Sequence, residues 1–483
     1  MRSSDLFIDG KFVPAASGAT FENINPATEE VLGVAADAGR AELEAAVAAA
    51  RRAFDDSGWS RNAAFRAACL RQLQDGLARR VEEIRPLVVA EAGAPVMLTH
   101  LVQVDPPIAD LGYVADLAET YDYERPLPDR VILGTASRRT IRREAAGVAA
   151  AITPWNFPFL LNLAKLAPAL AAGCTVVLKP APDTPWSAAV IGRIIAEETD
   201  IPPGVCNIVT SSDHAVGEQL AGHPDVDIVT FTGSTATGRR VMATAAATVK
   251  RTLLELGGKS PAIFLDDADL AAHLPAVAAA ACLHAGQGCA LLTRILVPRS
   301  RRDEAVELAA GCLQEMSYGD PTEIGPMMGP LISARQLNRV LGYIETGKSE
   351  GRLVVGGRRA PQFDRGYWVE PTLFADVAPD ARIAQEEIFG PVVVIIPFAD
   401  DDDAVRIANS TIYGLSGAVH SADTDRALAV ARRLRTGTVS VQGAQWYAPD
   451  TPFGGYRQSG LGREGGVLGF EEYLEVKTIA QPA

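Results

Sequence analysis

The hydrophobic positions of this chain change their period after its first third. Residues 40–57 and 63–92 carry apolar side chains at helical spacing with charged residues between them, which predicts two amphipathic helices. Further on, short apolar runs such as 148–152, 175–179 and 227–232 alternate with helical stretches. That alternation is typical of a parallel sheet with helices on its faces.

A second alternating series begins at 262–265 and continues through 294–297, 392–396 and 438–441. The chain is therefore predicted to be an α/β protein in which two α/β domains follow one another. Near the N-terminus, residues 6–12 predict a hairpin that turns at an Asp-Gly pair.

The segment 130–144 differs from both series because it is rich in arginine and reads as an extended hairpin. It is either an ordinary surface hairpin or an oligomerisation arm that pairs with the C-terminal strand at 473–479. The second interpretation is favoured because an exposed sheet edge of this length invites aggregation unless another subunit covers it.

Length and charge restrict the class of protein. A chain of 483 residues is too long for one hydrophobic core, so two or three domains are expected. The net charge of −14 disfavours nonspecific binding to nucleic acid or anionic lipid. No apolar run of about 18 residues predicts a membrane span, and the N-terminus reads as a hairpin and not as a signal peptide. A cytoplasmic location is therefore expected.

The six cysteines lie apart from one another, and the six histidines show no metal-ligand spacing. We expect reduced thiols, no disulfide framework and no metal site.

Three residues together indicate nucleophilic catalysis. Cys289 lies in a turn of small residues that leaves a thiol accessible, Glu255 precedes a Gly-Gly pair, and Asn156 lies between a tryptophan and a phenylalanine. Each alone reads equally as a buried small side chain, a strand end or a turn residue. Together they supply a sulfur that attacks, a carboxylate that activates water and an amide that holds an oxyanion.

A nucleotide site is indicated at 230–238, where a strand runs into a Gly-x-x-x-x-Gly turn and a helix that should begin near Thr237. Backbone amides at such a helix N-terminus bind a pyrophosphate, although the same glycines also suit an ordinary strand-to-helix turn. Lys179 ends another predicted strand, where open α/β sheets bind ligands. Glu387 and Phe389 add a carboxylate and a ring suited to a second ribose and a flat base.

These segments resemble the aldehyde dehydrogenase superfamily over almost the whole chain. The motifs that carry the resemblance are, in order, Pro-Trp-Asn-Phe-Pro at 154–158, Phe-Thr-Gly-Ser at 231–234, Glu-Leu-Gly-Gly-Lys at 255–259, Gly-Gln-Gly-Cys at 286–289, Glu-Ile-Phe-Gly-Pro at 387–391 and Pro-Phe-Gly-Gly at 452–455.

The resemblance implies a Rossmann-like NAD(P)-binding domain (1–122 and 146–256), a catalytic α/β domain (257–455) and a small β oligomerisation element (123–145 and 470–483), in a homodimer or homotetramer. It implies catalytic roles for Cys289 as nucleophile, Glu255 as general base, Asn156 as oxyanion donor and Glu464 as a second carboxylate near the water path. The implied cofactor-binding residues are Thr153, Pro154, Trp155, Lys179, Pro182, Gly217, Gly233, Ser234, Gly257, Glu387 and Phe389. The implied substrate residues are Phe157, Leu161, Ala164, Leu283, Gly288, Tyr447 and Phe453.

Two positions depart from the pattern of the family. Pro182 replaces the Glu that many NAD-preferring relatives use to bind the adenosine ribose, and no added Arg is visible nearby. NAD is therefore the expected cofactor, with NADP possible. Gln442 stands where relatives usually have Asn, and we expect it to alter a substrate contact.

The implied substrate residues are mostly apolar and include neither Arg nor Lys. They predict a hydrophobic aldehyde, aliphatic, terpenoid or aromatic, that is oxidised to its acid. A semialdehyde dehydrogenase, a coenzyme-A-acylating dehydrogenase and a non-catalytic oligomer of the same fold are the alternatives. Glu255 favours hydrolysis over transfer to coenzyme A, because a thioester kept for transfer should be shielded from activated water.

Overall fold

The computed structural model describes residues 3–483. Its strands are β1 (Ser3–Ser4), β2 (Leu6–Ile8), β3 (Lys11–Val13), β4 (Thr20–Ile24), β5 (Val31–Ala36), β6 (Glu124–Ile132), β7 (Thr135–Ala145), β8 (Val148–Ile152), β9 (Thr175–Lys179), β10 (Cys206–Ile208), β11 (Ile228–Thr232), β12 (Arg251–Glu255), β13 (Pro261–Phe264), β14 (Arg294–Pro298), β15 (Arg352–Val355), β16 (Thr372–Ala375), β17 (Val392–Phe398), β18 (Ala418–His420), β19 (Ser440–Val441), β20 (Gly460–Leu461) and β21 (Leu474–Pro482).

The helices alternate with these strands. They are α1 (Arg40–Asp56), α2 (Ala63–Arg79), α3 (Val81–Ala92), α4 (Val96–Leu98), α5 (Asp105–Thr120), α6 (Pro158–Ala172), α7 (Trp186–Glu198), α8 (His214–Gly222), α9 (Thr235–Ala245), α10 (Leu270–Ala281), α11 (Arg302–Glu315), α12 (Ala334–Glu350), α13 (Arg382–Gln385), α14 (Asp401–Ala408), α15 (Thr424–Ala431) and α16 (Gly466–Glu471). In the part of the chain from residue 3 onward, no helix combines the length and apolarity that a bilayer span requires.

The first large sheet has eight strands in the order β20-β12-β11-β8-β9-β10-β2-β3, of which the five from β12 to β10 are parallel. The β8 strand is buried and rich in alanine, which lets helices approach both faces closely. Two hydrophobic clusters cover the two faces. This is the doubly wound arrangement predicted from the first alternating series.

The second sheet has seven strands in the order β15-β16-β17-β14-β13-β18-β19, with only the edge strand β15 antiparallel. One large cluster of buried apolar residues packs around it. Both predicted α/β units are therefore present, and the α/β fold class is confirmed. The finer domain boundaries stay a prediction, and the small strand β20 joins the first sheet from far along the chain.

A separate three-stranded sheet is formed by β6, β7 and β21. The β21 strand pairs antiparallel with β7 from Leu474 opposite Ala145 to Pro482 opposite Ser137. The predicted pairing of the arginine-rich hairpin with the C-terminal strand is therefore confirmed.

One local prediction needs correction. The predicted helix at 63–92 is two helices, α2 and α3, because the backbone leaves the helical region at Arg80 (φ −103°, ψ 14°). The helix expected near Thr237 is present and begins at Thr235, where the Ser234 hydroxyl accepts the Thr237 N–H as an N-cap. The N-terminal hairpin is as predicted, with Asp9 and Gly10 both at positive φ.

Candidate active site

The predicted nucleophile lies in a strained segment before β14. Cys289 is half-buried, and it follows three successive residues with left-handed backbone: His284 (φ 51°), Ala285 (φ 54°) and Gly286 (φ 70°). A non-glycine residue in this region costs on the order of 1–3 kcal/mol. The segment therefore depends on surrounding contacts to keep its shape.

Gln287 supplies most of those contacts. Its buried side-chain amide donates to the carbonyls of His284 (3.1 Å) and Pro330 (3.2 Å), and its side-chain oxygen accepts the Ile332 N–H (2.9 Å). Because buried amides are costly to leave unpaired, these bonds fix the path of the chain just before the thiol.

The predicted oxyanion donor reaches the same segment from the first sheet. Asn156 follows β8 and is 4% exposed, and its side-chain amide donates to the Gln287 carbonyl (2.9 Å). A carboxamide carries two N–H groups, so one holds the amide in place and the second remains for a substrate oxygen. The arrangement suits the stabilisation of a developing oxyanion.

Two carboxylates and one lysine are buried beside the thiol. Lys165 of α6 is fully buried and donates to Glu464 (2.5 Å) and to the Thr230 hydroxyl (2.9 Å). Burial and the Glu464 carboxylate raise the pKa of Glu255 well above its usual value. The raised pKa makes the Glu255 carboxylate a stronger base than a free glutamate.

The Glu255 carboxylate does not line the cavity described below. It lies against Gly454, where a Cβ atom would stand 2.6 Å from a carboxylate oxygen, so only glycine fits. Among residues 3–483 neither carboxylate oxygen has a hydrogen-bond partner. Glu464 is brought nearby by a two-way backbone pairing with Phe453.

The charges around Cys289 oppose its ionisation. Burial, together with the Glu255 and Glu387 carboxylates, raises the pKa of the thiol. Because the thiolate is the nucleophile, the site needs added positive charge or proton removal before it can attack.

One cavity of about 1580 Å³ joins these groups to the predicted cofactor region. The carboxyl ends of β8, β9 and β11 open onto it, as expected for ligand binding in an open α/β sheet. All the predicted cofactor and substrate residues, and all the predicted catalytic residues except Glu255, line this cavity.

The cofactor half of the cavity fits a dinucleotide. Lys179 is 4% exposed, and within residues 3–483 its ammonium makes two long contacts, at 3.3 Å, to the carbonyls of Pro180 and Ser211. Its donors therefore remain available for ribose hydroxyls. Burial lowers the pKa of Lys179 to about 8, and the N-terminus of α9 faces the same space for a pyrophosphate.

At the opposite end of that half, Glu387 accepts the Gly258 N–H (2.8 Å), and burial raises the pKa of this carboxyl to about 7. A Cβ at Gly257 would stand 2.4 Å from the Glu387 carboxylate, so this glycine permits the close approach. Trp155 and Phe389 meet edge to face at 5.5 Å and form an aromatic wall.

The departures from the family pattern have distinct outcomes. Pro182 lines the cavity as predicted. Arg240 also lines it, although no motif marks this residue, and it pairs with Glu218 (2.6 Å). The expectation that Gln442 alters a substrate contact is not supported, because its side chain bonds the backbone of Ser421 and does not line the cavity.

Several residues at the site were missed by sequence reasoning. Lys165 had a usable signal, since it is the lone charge in the apolar helix α6. His284, Trp446 and Asp110 line the cavity but stand in no motif that marks them. Their proximity arises from tertiary packing.

The model of the aldehyde dehydrogenase family matches residues 12–479 of the chain. The chain belongs to the aldehyde dehydrogenase family. Among its relatives, this aldehyde dehydrogenase is 44% identical to a 3-succinoylsemialdehyde-pyridine dehydrogenase of a Pseudomonas species and 42% identical to the geranial dehydrogenase of Castellaniella defragrans. Each comparison covers 98% of this chain and 98% of the relative.

Solved structures that resemble this chain are also those of aldehyde dehydrogenases. A cysteine-to-alanine mutant of aldehyde dehydrogenase C from Pseudomonas syringae, in complex with NAD+ and octanal, is 41% identical with a TM-score of 0.93, covering 99% of this chain and 96% of that one. The betaine aldehyde dehydrogenase of Staphylococcus aureus with NAD+ is 35% identical with a TM-score of 0.96, covering 100% and 95%.

The carboxylate pair predicts a specific pH effect. Glu255 acts as a base only when ionised, so activity should rise as the pH rises through its elevated pKa. Glu464→Gln removes a neighbouring negative charge, lowers the pKa of Glu255 and should move the acid limb of kcat to lower pH. The measurement is kcat against pH with octanal and NAD.

Glu475→Gln is the matched control, because this exposed carboxylate lies on β21 and pairs with Arg251. It should leave the acid limb in place. An acid limb that stays fixed in Glu464→Gln, or moves to higher pH, would contradict the coupling.

Proposed function

We propose that this aldehyde dehydrogenase oxidises apolar aldehydes to carboxylic acids with NAD through a covalent thioester on Cys289. The observation that carries the proposal is that Cys289 and Asn156 line one cavity, with the Asn156 amide bonded to the carbonyl of Gln287, two residues before Cys289. Glu255 and the Lys165–Glu464 pair lie beside these residues.

The chain's own residues account for the steps on the substrate carbon. The Cys289 thiol gives up its proton to water in the cavity, its sulfur attacks the carbonyl carbon, and the free N–H of Asn156 holds the resulting oxyanion, an interaction worth roughly 100- to 1000-fold in rate. NAD, held by Lys179, Glu387, Trp155 and Phe389, would supply the acceptor for the hydride that leaves the substrate carbon, and its cationic ring would favour the thiolate. Collapse of the oxyanion leaves a thioester on Cys289.

Hydrolysis then needs a base. Once its side chain turns from Gly454 toward the cavity, Glu255 removes a proton from water as that water attacks the thioester carbon, and the acid leaves as the Cys289 sulfur departs. The proton on Glu255 can then pass through water to the Glu464 carboxylate, which interacts with Glu255 and is paired with Lys165. Such a path avoids opening the site to bulk water during hydrolysis.

Residues at the cofactor half support NAD. Lys179 and Glu387 would hold two ribose units, and Trp155 and Phe389 would pack against a flat ring. The relatives with solved NAD+ complexes agree with this choice. Arg240, already paired with Glu218, leaves NADP the less favoured cofactor.

The outer half of the cavity, lined by α5, α6 and residues 443–453, indicates the substrate class. Phe157, Leu161 and Ala164 form one wall, and Trp446 stacks on Phe453 at 5.4 Å. No Arg or Lys from residues 3–483 lines this half. The site therefore favours medium or bulky uncharged aldehydes, in keeping with relatives named for geranial and with the octanal complex.

We also infer a homodimer or homotetramer built on the β6-β7-β21 sheet. The hairpin tip exposes Val131 (72%) and Leu133 (101%), an apolar surface that another subunit would cover. We further propose a cytoplasmic location, because the reducing conditions there would keep the catalytic thiol reduced.

The proposed function makes a direct prediction for Cys289. The wild-type protein should form NADH with hexanal, citral, benzaldehyde and octanal without coenzyme A, and Cys289→Ala should abolish this turnover. The measurement is absorbance at the reduced-nicotinamide band with NAD and with NADP. Cys312→Ala is the matched control and should retain activity, since Cys312 lies on α11 away from the cavity. Turnover that requires coenzyme A would contradict hydrolysis.

The second prediction concerns charge at the cavity mouth. Tyr447, 48% exposed, donates to the Asp110 carboxylate (3.3 Å) and links residues 443–453 to α5. A fixed negative charge here should repel anionic aldehydes. Asp110→Asn should raise kcat/KM for succinic semialdehyde about fivefold relative to hexanal, as expected for ~1 kcal/mol from one partly screened charge.

Asp116→Asn is the control, because Asp116 is on the same helix but pairs with Arg71 at the surface. It should leave the ratio unchanged. Succinic semialdehyde turned over about tenfold better than the apolar aldehydes by the wild type would refute the proposed substrate class.

A further inference from the structure

Four hydrogen bonds among three residues around the nucleophile segment form a closed circuit. The His284 ring Nε2 contacts the main-chain carbonyl of Asn156 (2.7 Å), and the Asn156 side-chain amide donates to the Gln287 carbonyl (2.9 Å). Gln287 returns to the His284 carbonyl through its backbone N–H (3.1 Å) and its side-chain amide (3.1 Å). All three side chains are at least 96% buried.

The direction of the histidine bond follows from its partner. A carbonyl oxygen can only accept, so the His284 Nε2 carries the proton and donates. Burial lowers the pKa of His284 to about 4, so the ring is neutral throughout the working pH range. The circuit therefore keeps one arrangement of donors and acceptors.

We propose that His284 is a positioning residue for the oxyanion donor: its Nε2–H fixes the Asn156 backbone and so aims the Asn156 carboxamide at the space beside Cys289. This inference rests on the proposed function, in which Asn156 holds the oxyanion.

The surroundings of the His284 ring explain why it acts through Asn156. Besides its bond to the Asn156 carbonyl, the ring contacts the Phe157 ring, edge to face at 5.3 Å. His284 therefore supports two consecutive residues in the segment that follows β8. His284 and Ala285 both have left-handed backbone, and the His284 ring contacts the Asn156 carbonyl and the Phe157 ring. Without the donor, the Asn156 carbonyl would be buried and unpaired, and the segment would shift to satisfy it.

Two substitutions separate the donor from the ring. His284→Phe keeps the ring volume and the contact with Phe157 but removes the donor. His284→Gln loses the ring but keeps an amide N–H at a similar reach. His223→Phe is the control, since this largely buried histidine pairs with Glu44 at the far side of the first sheet.

The test is the single-turnover rate of NADH formation with octanal and saturating NAD. His284→Phe should slow this rate about 10- to 100-fold, the usual effect of a displaced catalytic group, with KM for NAD unchanged within about twofold. His284→Gln should retain most of the rate, and His223→Phe all of it. Equal losses in both His284 variants would overturn the proposal, because the ring volume would then matter and not the donor.

A double-mutant cycle tests the route of the effect. In an Asn156→Ala protein the carboxamide is gone, so His284→Phe should slow the reaction by less than about twofold further. A full additional loss would show that His284 acts on the Cys289 segment independently of Asn156 and would refute the inference.

A crystal structure of the His284→Phe protein gives a result that needs no turnover. The inference predicts that the bond between the Asn156 amide and the Gln287 carbonyl is broken or lengthened. An unchanged bond would overturn it. A wild type inactive with every aldehyde would count against the proposed function alone, and this structure would still decide the role of His284.

Discussion

The hydrogen bond from the Asn156 amide to the Gln287 carbonyl joins the two α/β sheets at the place where the chemistry must occur. Asn156 lies in the loop that follows β8 of the first sheet, and Gln287 belongs to the strained turn that leads into the second sheet. Neither sheet alone builds the site. This contact sets where the cofactor half of the cavity, the nucleophile and the oxyanion donor lie relative to one another. The contact is costly to break because the buried side-chain amide of Gln287 holds the same turn in place.

Electrostatics set the second constraint. Glu255 and Glu464 are both buried near Cys289, with Lys165 as the nearest compensating charge. Such a cluster raises the pKa of the base and of the thiol together. A raised pKa suits Glu255, which must take up a proton. The same carboxylates keep Cys289 protonated unless a positive charge, such as that of bound NAD, lies nearby. The cluster thus links attack by the sulfur to the binding of NAD.

Much of this fold was predictable because the spacing of apolar residues and the types of turn residue determine it. The alternating apolar runs predicted both sheets, and the Asp-Gly turn predicted the N-terminal hairpin. The position of the break at Arg80 was not predictable, since both flanking segments have helical periodicity and the nearest glycine and proline, Gly76 and Pro86, lie inside α2 and α3. Motifs identified Cys289, Asn156 and Glu255, yet the sequence could not show that the Glu255 side chain faces Gly454 and not the cavity. That orientation depends on a contact between residues almost 200 positions apart.

Other residues reach or leave the site through tertiary packing. Lys165, His284 and Asp110 come to it in this way. Gln442 points away from the site because its side-chain amide bonds to the Ser421 backbone.

The central claim, a thioester on Cys289 released by Glu255, is tested most directly by trapping that thioester. Glu255→Gln protein mixed with octanal and NAD should still acylate but hydrolyse slowly, so acid quenching and peptide mass spectrometry should find an octanoyl group on the peptide that contains Cys289. Wild-type protein treated in the same way should show much less of it. No octanoyl adduct in either protein while NADH is formed, or an adduct on another cysteine such as Cys312, would contradict the account.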